Sequence, residues 1–501
     1  MPLLFANRFL VPLPSIWLLG VAAAATLACG LLAYGLLRLV LPRSAAEARA
    51  SLRDGFLGPF AWLLATFTAL AAAITPALWS SSPSPLGQIG RSLVRLAAPD
   101  TSGAIVEIDP RSAYRIAFPR LRPQEIRELV FQSDGPLIVR TPQPTEGLLA
   151  KVPEIELGAA SPWSWKRSTG TPNPFLGQRS VLEVRNLGEV PARLRVTWWL
   201  APEQPEVAIL PATFAVLATV VLLYTVFRLA ARKTAAVAAA TNKEAIGQPV
   251  FPVALILGCC LLVLFIVLPY NTFGEDVKMF KDSGLTLVKV LALLVVAWTA
   301  SVAVAEEVEG RTALTVLSKP LRRWQFLLGK FAGLTLIALL VFLVLGSVLL
   351  AGTNFKVVYD ARENSQTDPL WQACTAEMTT LVPGLALGLM ETIVLASISL
   401  AVSTRLGMVA NLVVCFTVYT LGHLLPLIVQ SSVGRNEIVR FFGRLLATIL
   451  PVLEHFTVEA AVMRSVPVPW GYLGWAAVYA ALYAAVALLV AYVLFQDRDL
   501  A

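Results

Sequence analysis

Lys289, Glu391 and His423 are the residues of this chain best placed to do chemistry, because each stands inside a long apolar run. An ionisable group kept in hydrocarbon is costly, and such groups mark proton relays, substrate paths or gates. The plainer alternative is a polar contact between helices, or a lysine that snorkels to the surface. Other chemistry has little material. The only histidines are His423 and His455, which excludes a histidine-rich metal site. Cys29, Cys259, Cys260 and Cys415 lie in apolar runs and Cys374 stands alone, so the spacing of a disulfide framework or a zinc site is missing. A phosphate-cradling loop needs Gly-x-x-x-x-Gly-Lys-Ser/Thr. The only Gly-Lys pair is Gly329-Lys330, with Phe331 after it and Trp324 where the first glycine should stand. No catalytic residue, cofactor site or metal site is therefore expected in this chain, and it does not read as an enzyme.

The elements that must hold these residues follow from composition. The 501 residues are 57% hydrophobic and 14% charged, with mean hydropathy +0.71. Soluble proteins carry about 25% charged residues, so lipid must cover part of this surface. The net charge of +8 fits cytoplasmic loops that meet anionic lipid. No basic run with interleaved aromatics points to nucleic acid.

A membrane helix needs about 20 apolar residues. Nine stretches qualify: about Ile16–Leu41, Phe56–Trp79, Val207–Phe227, Val250–Tyr270, Gly284–Ala305, Phe331–Ala351, Val382–Val402, Met408–Val429 and Tyr472–Phe495. The first is too long for a cleavable signal's apolar core. With the N-terminus outside, 14 Lys and Arg fall on cytoplasmic segments and 9 on short outer ones. That bias orients the chain with its C-terminus in the cytoplasm. At 1.5 Å per residue, Lys289, Glu391 and His423 all lie roughly 7–14 Å below the outer surface. They are expected to form one intramembrane polar cluster.

Between the second and third spans, from about Ser80 to Glu206, charges and prolines return and short runs alternate. Ala104–Ile108 and Leu137–Arg140 read as strands, and Ser180–Arg185 with Ala192–Leu200 read as a hairpin around Asn186-Leu187-Gly188-Glu189. Leu182, Val184, Leu194, Val196 and Trp198 would form one apolar face. The expected fold is an α-helical polytopic membrane protein with an inserted extracytoplasmic β-rich, sandwich-like domain. The expected domains are a two-helix membrane segment (1–80), the β domain (81–206), a third membrane helix with a cytoplasmic linker (207–249), and a six-helix domain (250–501).

The connector between the fifth and sixth spans carries the most information. It runs Glu306-Glu307-Val308-Glu309-Gly310-Arg311-Thr312, then through Leu314 and Leu317 to Ser318-Lys319-Pro320-Leu321-Arg322-Arg323, and on to Gly329-Lys330. An acidic helix end leads into a short amphipathic helix. Pro320 disfavours helix at Lys319 and opens the next one. This order resembles the connector of ABC-type export permeases, with the closest likeness to the permease family associated with multi-copper enzyme maturation. Asp282-Ser283-Gly284-Leu285 and the ending Phe495-Gln496-Asp497-Arg498-Asp499-Leu500 are similar to that family's span start and tail.

The resemblance covers about Val250 to Ala501. It implies that Glu306, Glu307, Glu309, Gly310, Arg311, Thr312, Ser318, Lys319, Pro320, Arg322 and Arg323 couple to a separate P-loop ATPase, which would hold ATP and Mg. It also implies a second permease copy or a related permease as partner, an inner-membrane location, and short outer helices between about Ser431 and Gly471. The first 230 or so residues go beyond that family's common core. The competing expectation is a membrane anchor that holds an extracytoplasmic partner through the β domain, but an anchor has no use for such a connector.

Overall fold

The computed structural model describes residues 11–40, 49, 55–80, 85–97, 101–117, 125–140, 154–158, 162–166, 181–268, 270, 275–306, 321–430, 441, 445–446, 449–457, 461 and 468–496. The chain forms two compact units, Met1–Ala77 with Leu210–Ala501, and Leu78–Ile209.

The larger unit is helical. Its helices are α1 (Leu13–Val40), α2 (Leu57–Ser80), α4 (Ile209–Ala230), α5 (Arg232–Gly247), α6 (Val250–Val267), α7 (Asp276–Ala300), α8 (Arg323–Glu363), α9 (Trp371–Thr379), α10 (Leu381–Ser403), α11 (Met408–Gln430) and α12 (Trp470–Gln496). Eight helical stretches among the described residues are long and apolar enough to cross a membrane. The remaining expected span is α11, whose apolar stretch is described from Met408 to Leu424.

Two helices differ from the sequence expectation. The fifth span begins at Asp276 rather than Gly284, because two charged residues in its first turns, Asp276 and Lys281, are paired inside the protein. Lys356 Nζ, fully buried, lies 3.5 Å from Asp276 Oδ2, donates to Leu268 O at 3.1 Å and sits 5.2 Å from the Tyr270 ring centroid. Lys281, also fully buried, pairs with Glu377 and donates to Thr380 Oγ1. The sixth span is the 41-residue α8, about 60 Å long, or twice a hydrocarbon core. It ends where Ser365 takes a left-handed backbone, with Ser365 N bonded to Arg362 O and Gln366 N to Ala361 O.

Glycines set the helix spacing. A Cβ on Gly20 of α1 would come within 2.6 Å of Ala71 Cβ and Phe67 O, so α1 and α2 cross in near backbone contact. α5, between the third and fourth spans, lies along the first turns of α8. There a Cβ on Gly329 would meet Val237 Cβ at 2.5 Å, and one on Gly333 would meet Thr241 Cβ at 2.7 Å. The pair at Gly329 and Gly333 thus seats a helix of the same chain.

The smaller unit holds α3 (Pro85–Ala97) and eight strands: β1 (Thr101–Ile108), β2 (Ala113–Ala117), β3 (Ile126–Ser133), β4 (Leu137–Arg140), β5 (Ile155–Leu157), β6 (Trp163–Lys166), β7 (Val181–Asn186) and β8 (Ala192–Leu200). They form two antiparallel sheets, ordered β1-β8-β3-β6 and β2-β7-β4-β5. The buried residues Leu182 and Val184 of one sheet share a core with Leu129, Leu194 and Val196 of the other.

β7 and β8 therefore do not pair as the expected hairpin. An alternating strand shows the same pattern whether its apolar face meets its own sheet's neighbours or a second sheet about 10 Å away. The intervening residues cross between the sheets, and buried Asn186 fixes the corner. Its Nδ2 donates to Ile108 O at 3.1 Å and Val190 O at 2.9 Å, and its Oδ1 accepts from Gly188 N at 2.8 Å. Asn186→Ala would strip three backbone groups of their partner, at a cost on the order of 2 kcal/mol. The expected result is a roughly thirtyfold loss of amide-exchange protection in β7 and β8 of the full-length protein, with α8 unaffected.

Candidate functional site

The three intramembrane ionisable residues come from three helices. α7 brings Lys289, α10 brings Glu391 and α11 brings His423. His423 Nε2 is hydrogen-bonded to Glu391 Oε1 at 2.8 Å; the ring nitrogen is taken as donor, since a carboxylate has no proton to give. Lys289 Nζ faces Glu391 Oε2 at 3.8 Å. Glu391 is 1% exposed and Lys289 is 7% exposed, while the His423 side chain is about a quarter exposed. A carboxylate at this depth is tolerable because a cation and a ring N–H face it.

The surroundings have evident packing reasons. Gly388, one turn before Glu391, would place a Cβ 3.0 Å from Lys289 Cγ and 3.2 Å from Cδ, so its missing side chain is the space through which the lysine stem passes. The Tyr419 ring meets His423 edge-on at 4.9 Å between centroids. Next to His423, Gly422 lies under Leu453 of the short 3-10 turn Leu453–Phe456, whose Leu453 and Phe456 are buried against α10, α11 and α12. This turn belongs to the stretch expected to hold short outer helices; of that stretch, residues 431–440, 442–444, 447–448, 458–460 and 462–467 lie outside the described residues.

At its other end, α7 leaves the regular helix. Ser301–Glu306 is a π-helical segment, a form often found at functional positions. The buried amide of Asn411 on α11 ties it down. Asn411 Nδ2 donates to Ser301 Oγ at 2.8 Å, Ser399 Oγ at 2.9 Å and Ala297 O at 3.3 Å. Asn411 joins α7, α10 and α11, and its only sequence signal is a lone amide at the start of an apolar run.

Of the connector residues, Glu306 closes the π segment. Glu307, Glu309, Gly310, Arg311, Thr312, Ser318, Lys319 and Pro320 lie outside the described residues. Arg322 caps α8, with its amide donating to Gln325 Oε1 at 3.2 Å. Arg323 donates to Gln496 O at 2.9 Å, and Phe326 stacks on Phe495 at 5.8 Å. The start of α8 is thereby fastened to the end of α12, which gives Phe495 of the tail a packing role. The connector and the triad are separate places, joined by the length of α7.

Sequence reasoning missed Asn411 and the buried pairs around Lys281 and Lys356. Both lysines count as loop charges when the spans are drawn from hydropathy, because burial cannot be read from a charge in a helix end.

These elements define a multi-pass helical membrane protein with a separate antiparallel β unit. Residues 268–500, from the end of α6 onward, match the family described as ABC-2 family transporter protein, so the chain carries the permease component of an ABC transporter over that stretch. The match is to the family as a whole and does not select the branch associated with multi-copper enzyme maturation. Comparison with curated proteins returned no match.

Proposed function

We propose that this chain is the non-catalytic membrane subunit of an ATP-driven exporter, worked by a separate P-loop ATPase that docks on residues 306–323. ATP and Mg belong to that partner. The observation that carries the reading is the continuity of α7. One helix holds Lys289 in the polar triad and passes, through a π segment clamped by Asn411, directly into the connector. A push on the connector would shift α7 along its axis, and the triad is where α7 grips α10 and α11.

The pairs around Lys281 and Lys356 sharpen the orientation. With those two, and Lys330, which is also buried, removed from the loop counts, 13 cytoplasmic cations stand against 7 outer ones. This supports an outer N-terminus, a cytoplasmic C-terminus, an extracytoplasmic β unit and placement in the inner membrane. Such machines use two permease halves, so a second copy or a related permease completes the assembly.

The test is affinity capture of the intact protein from native membranes beside a Glu307→Ala/Arg311→Ala variant. Wild type is expected to bring down a P-loop ATPase, and the variant to lose about tenfold or more of it, as truncation of paired interfacial charges does. Capture of no ATPase by wild type in several mild detergents would refute the reading.

A further inference from the structure

Where α4 ends and α5 begins, the chain and the first turns of α8 enclose a cavity of about 590 Å³. Its walls are mostly apolar, with Phe227, Leu229, Leu328 and Phe331, and two cations, Arg232 and Lys233, stand at its rim. We propose that this cavity binds the headgroup and upper acyl chain of an anionic phospholipid.

Three observations support that occupant. The first is charge. Arg232 and Lys233 are both exposed, and they are the first residues of α5, whose opening amides add partial positive charge. The second is position. α4 is 22 residues long with a single charge, Arg228, in its last turn, so Arg232 and Lys233 fall where a spanning helix meets the headgroups. Trp324 lines the same cavity and is 43% exposed, as an interfacial aromatic is. The third is the track below. Leu222, Val226 and Leu229 are 62%, 52% and 59% exposed and repeat at helical spacing. They make one apolar stripe on α4 that ends at the cavity. A phosphate between the two cations would leave its acyl chain lying on that stripe. A free anion would use the cations and ignore the stripe, and a soluble acidic peptide would meet lipid-facing leucines.

Such a lipid would sit beside the junction of α5 with the start of α8, the helix that bears Arg322 and Arg323 of the connector at its first turn.

The experiment is native mass spectrometry of the full-length, delipidated protein titrated with phosphatidylglycerol or phosphatidylcholine. Two variants accompany wild type: Arg232→Gln/Lys233→Gln, which removes the charge, and Ala332→Trp, which fills the cavity and keeps the charge. Wild type is expected to retain one phosphatidylglycerol about twentyfold more tightly than the charge variant. Ala332→Trp should lose the same lipid, phosphatidylcholine should not discriminate among the three proteins, and inorganic phosphate should not displace the lipid. Equal retention of phosphatidylglycerol by wild type and both variants would overturn the proposal. So would displacement by inorganic phosphate, which marks a simple anion site. A change of oligomer distribution without a change of lipid retention would show a protein interface, and would overturn it as well.

Discussion

Glu391→Ala is expected to be the most damaging single substitution in the membrane unit. It removes the carboxylate that faces Lys289 Nζ at 3.8 Å and accepts from His423 at 2.8 Å, in a place where Lys289 cannot reach water without moving. Breaking a buried pair from one side costs about 3–5 kcal/mol, a large part of a typical folding free energy. The measurement is thermal unfolding of the detergent-solubilised protein, together with its yield. The double variant Lys289→Met/Glu391→Leu separates structure from function. Removing both charges while keeping the volume is often neutral or stabilising, so its stability should return to near wild type. Transport should not return, because on the proposed mechanism the charged joint between α7, α10 and α11 is what moves. A double variant that is stable and also transports normally would make the triad a structural contact only. Glu391→Gln, which keeps shape and one hydrogen bond, should fall between the two.

Gly329→Ala combined with Gly333→Ala should separate α5 from α8. Alanine is the better helix former by about 1 kcal/mol per site, so propensity alone predicts a gain. Contact decides the sign. The new Cβ atoms would lie 2.5 Å from Val237 Cβ and 2.7 Å from Thr241 Cβ, and also 2.9 Å from Thr234 O and 3.1 Å from Ala238 O. The last two are backbone, so no rotamer change relieves them and the helices must part. Overpacking of this kind costs about 1–3 kcal/mol per site, which outweighs the propensity gain. The expected result is faster limited proteolysis at Arg232, Lys233 and Lys243. Adding Val237→Ala and Thr241→Ala should restore part of the protection by removing the side-chain half of the clash. Proteolysis unchanged in the double alanine variant would mean that α5 is not seated on this pair. The same variants would widen the cavity at the α5–α8 seam.

Several features were legible from residues alone because they rest on local physics. The apolar stretches had to be helices, since a backbone in lipid must satisfy its own hydrogen bonds. The alternating segments between the second and third spans could only be strands. The depths of Lys289, Glu391 and His423 followed from counting residues at a fixed rise, and a common depth is the one condition for three helices to share a polar layer.

Meeting partners is a different matter. Sequence spacing does not say that β8 lies between β1 and β3, because an apolar alternation fits either sheet of a sandwich equally well. It does not say that Gly329 and Gly333 receive α5 of the same chain, since a small-residue stripe is complementary to any close helix. Nor does it distinguish Lys281 and Lys356, buried against Glu377 and Asp276, from lysines in loops. In each case the local sequence determined what kind of surface an element presents, and only the tertiary structure decided which surface meets it. That choice depends on contacts between residues tens to hundreds of positions apart, for which no periodicity along the chain provides a signal.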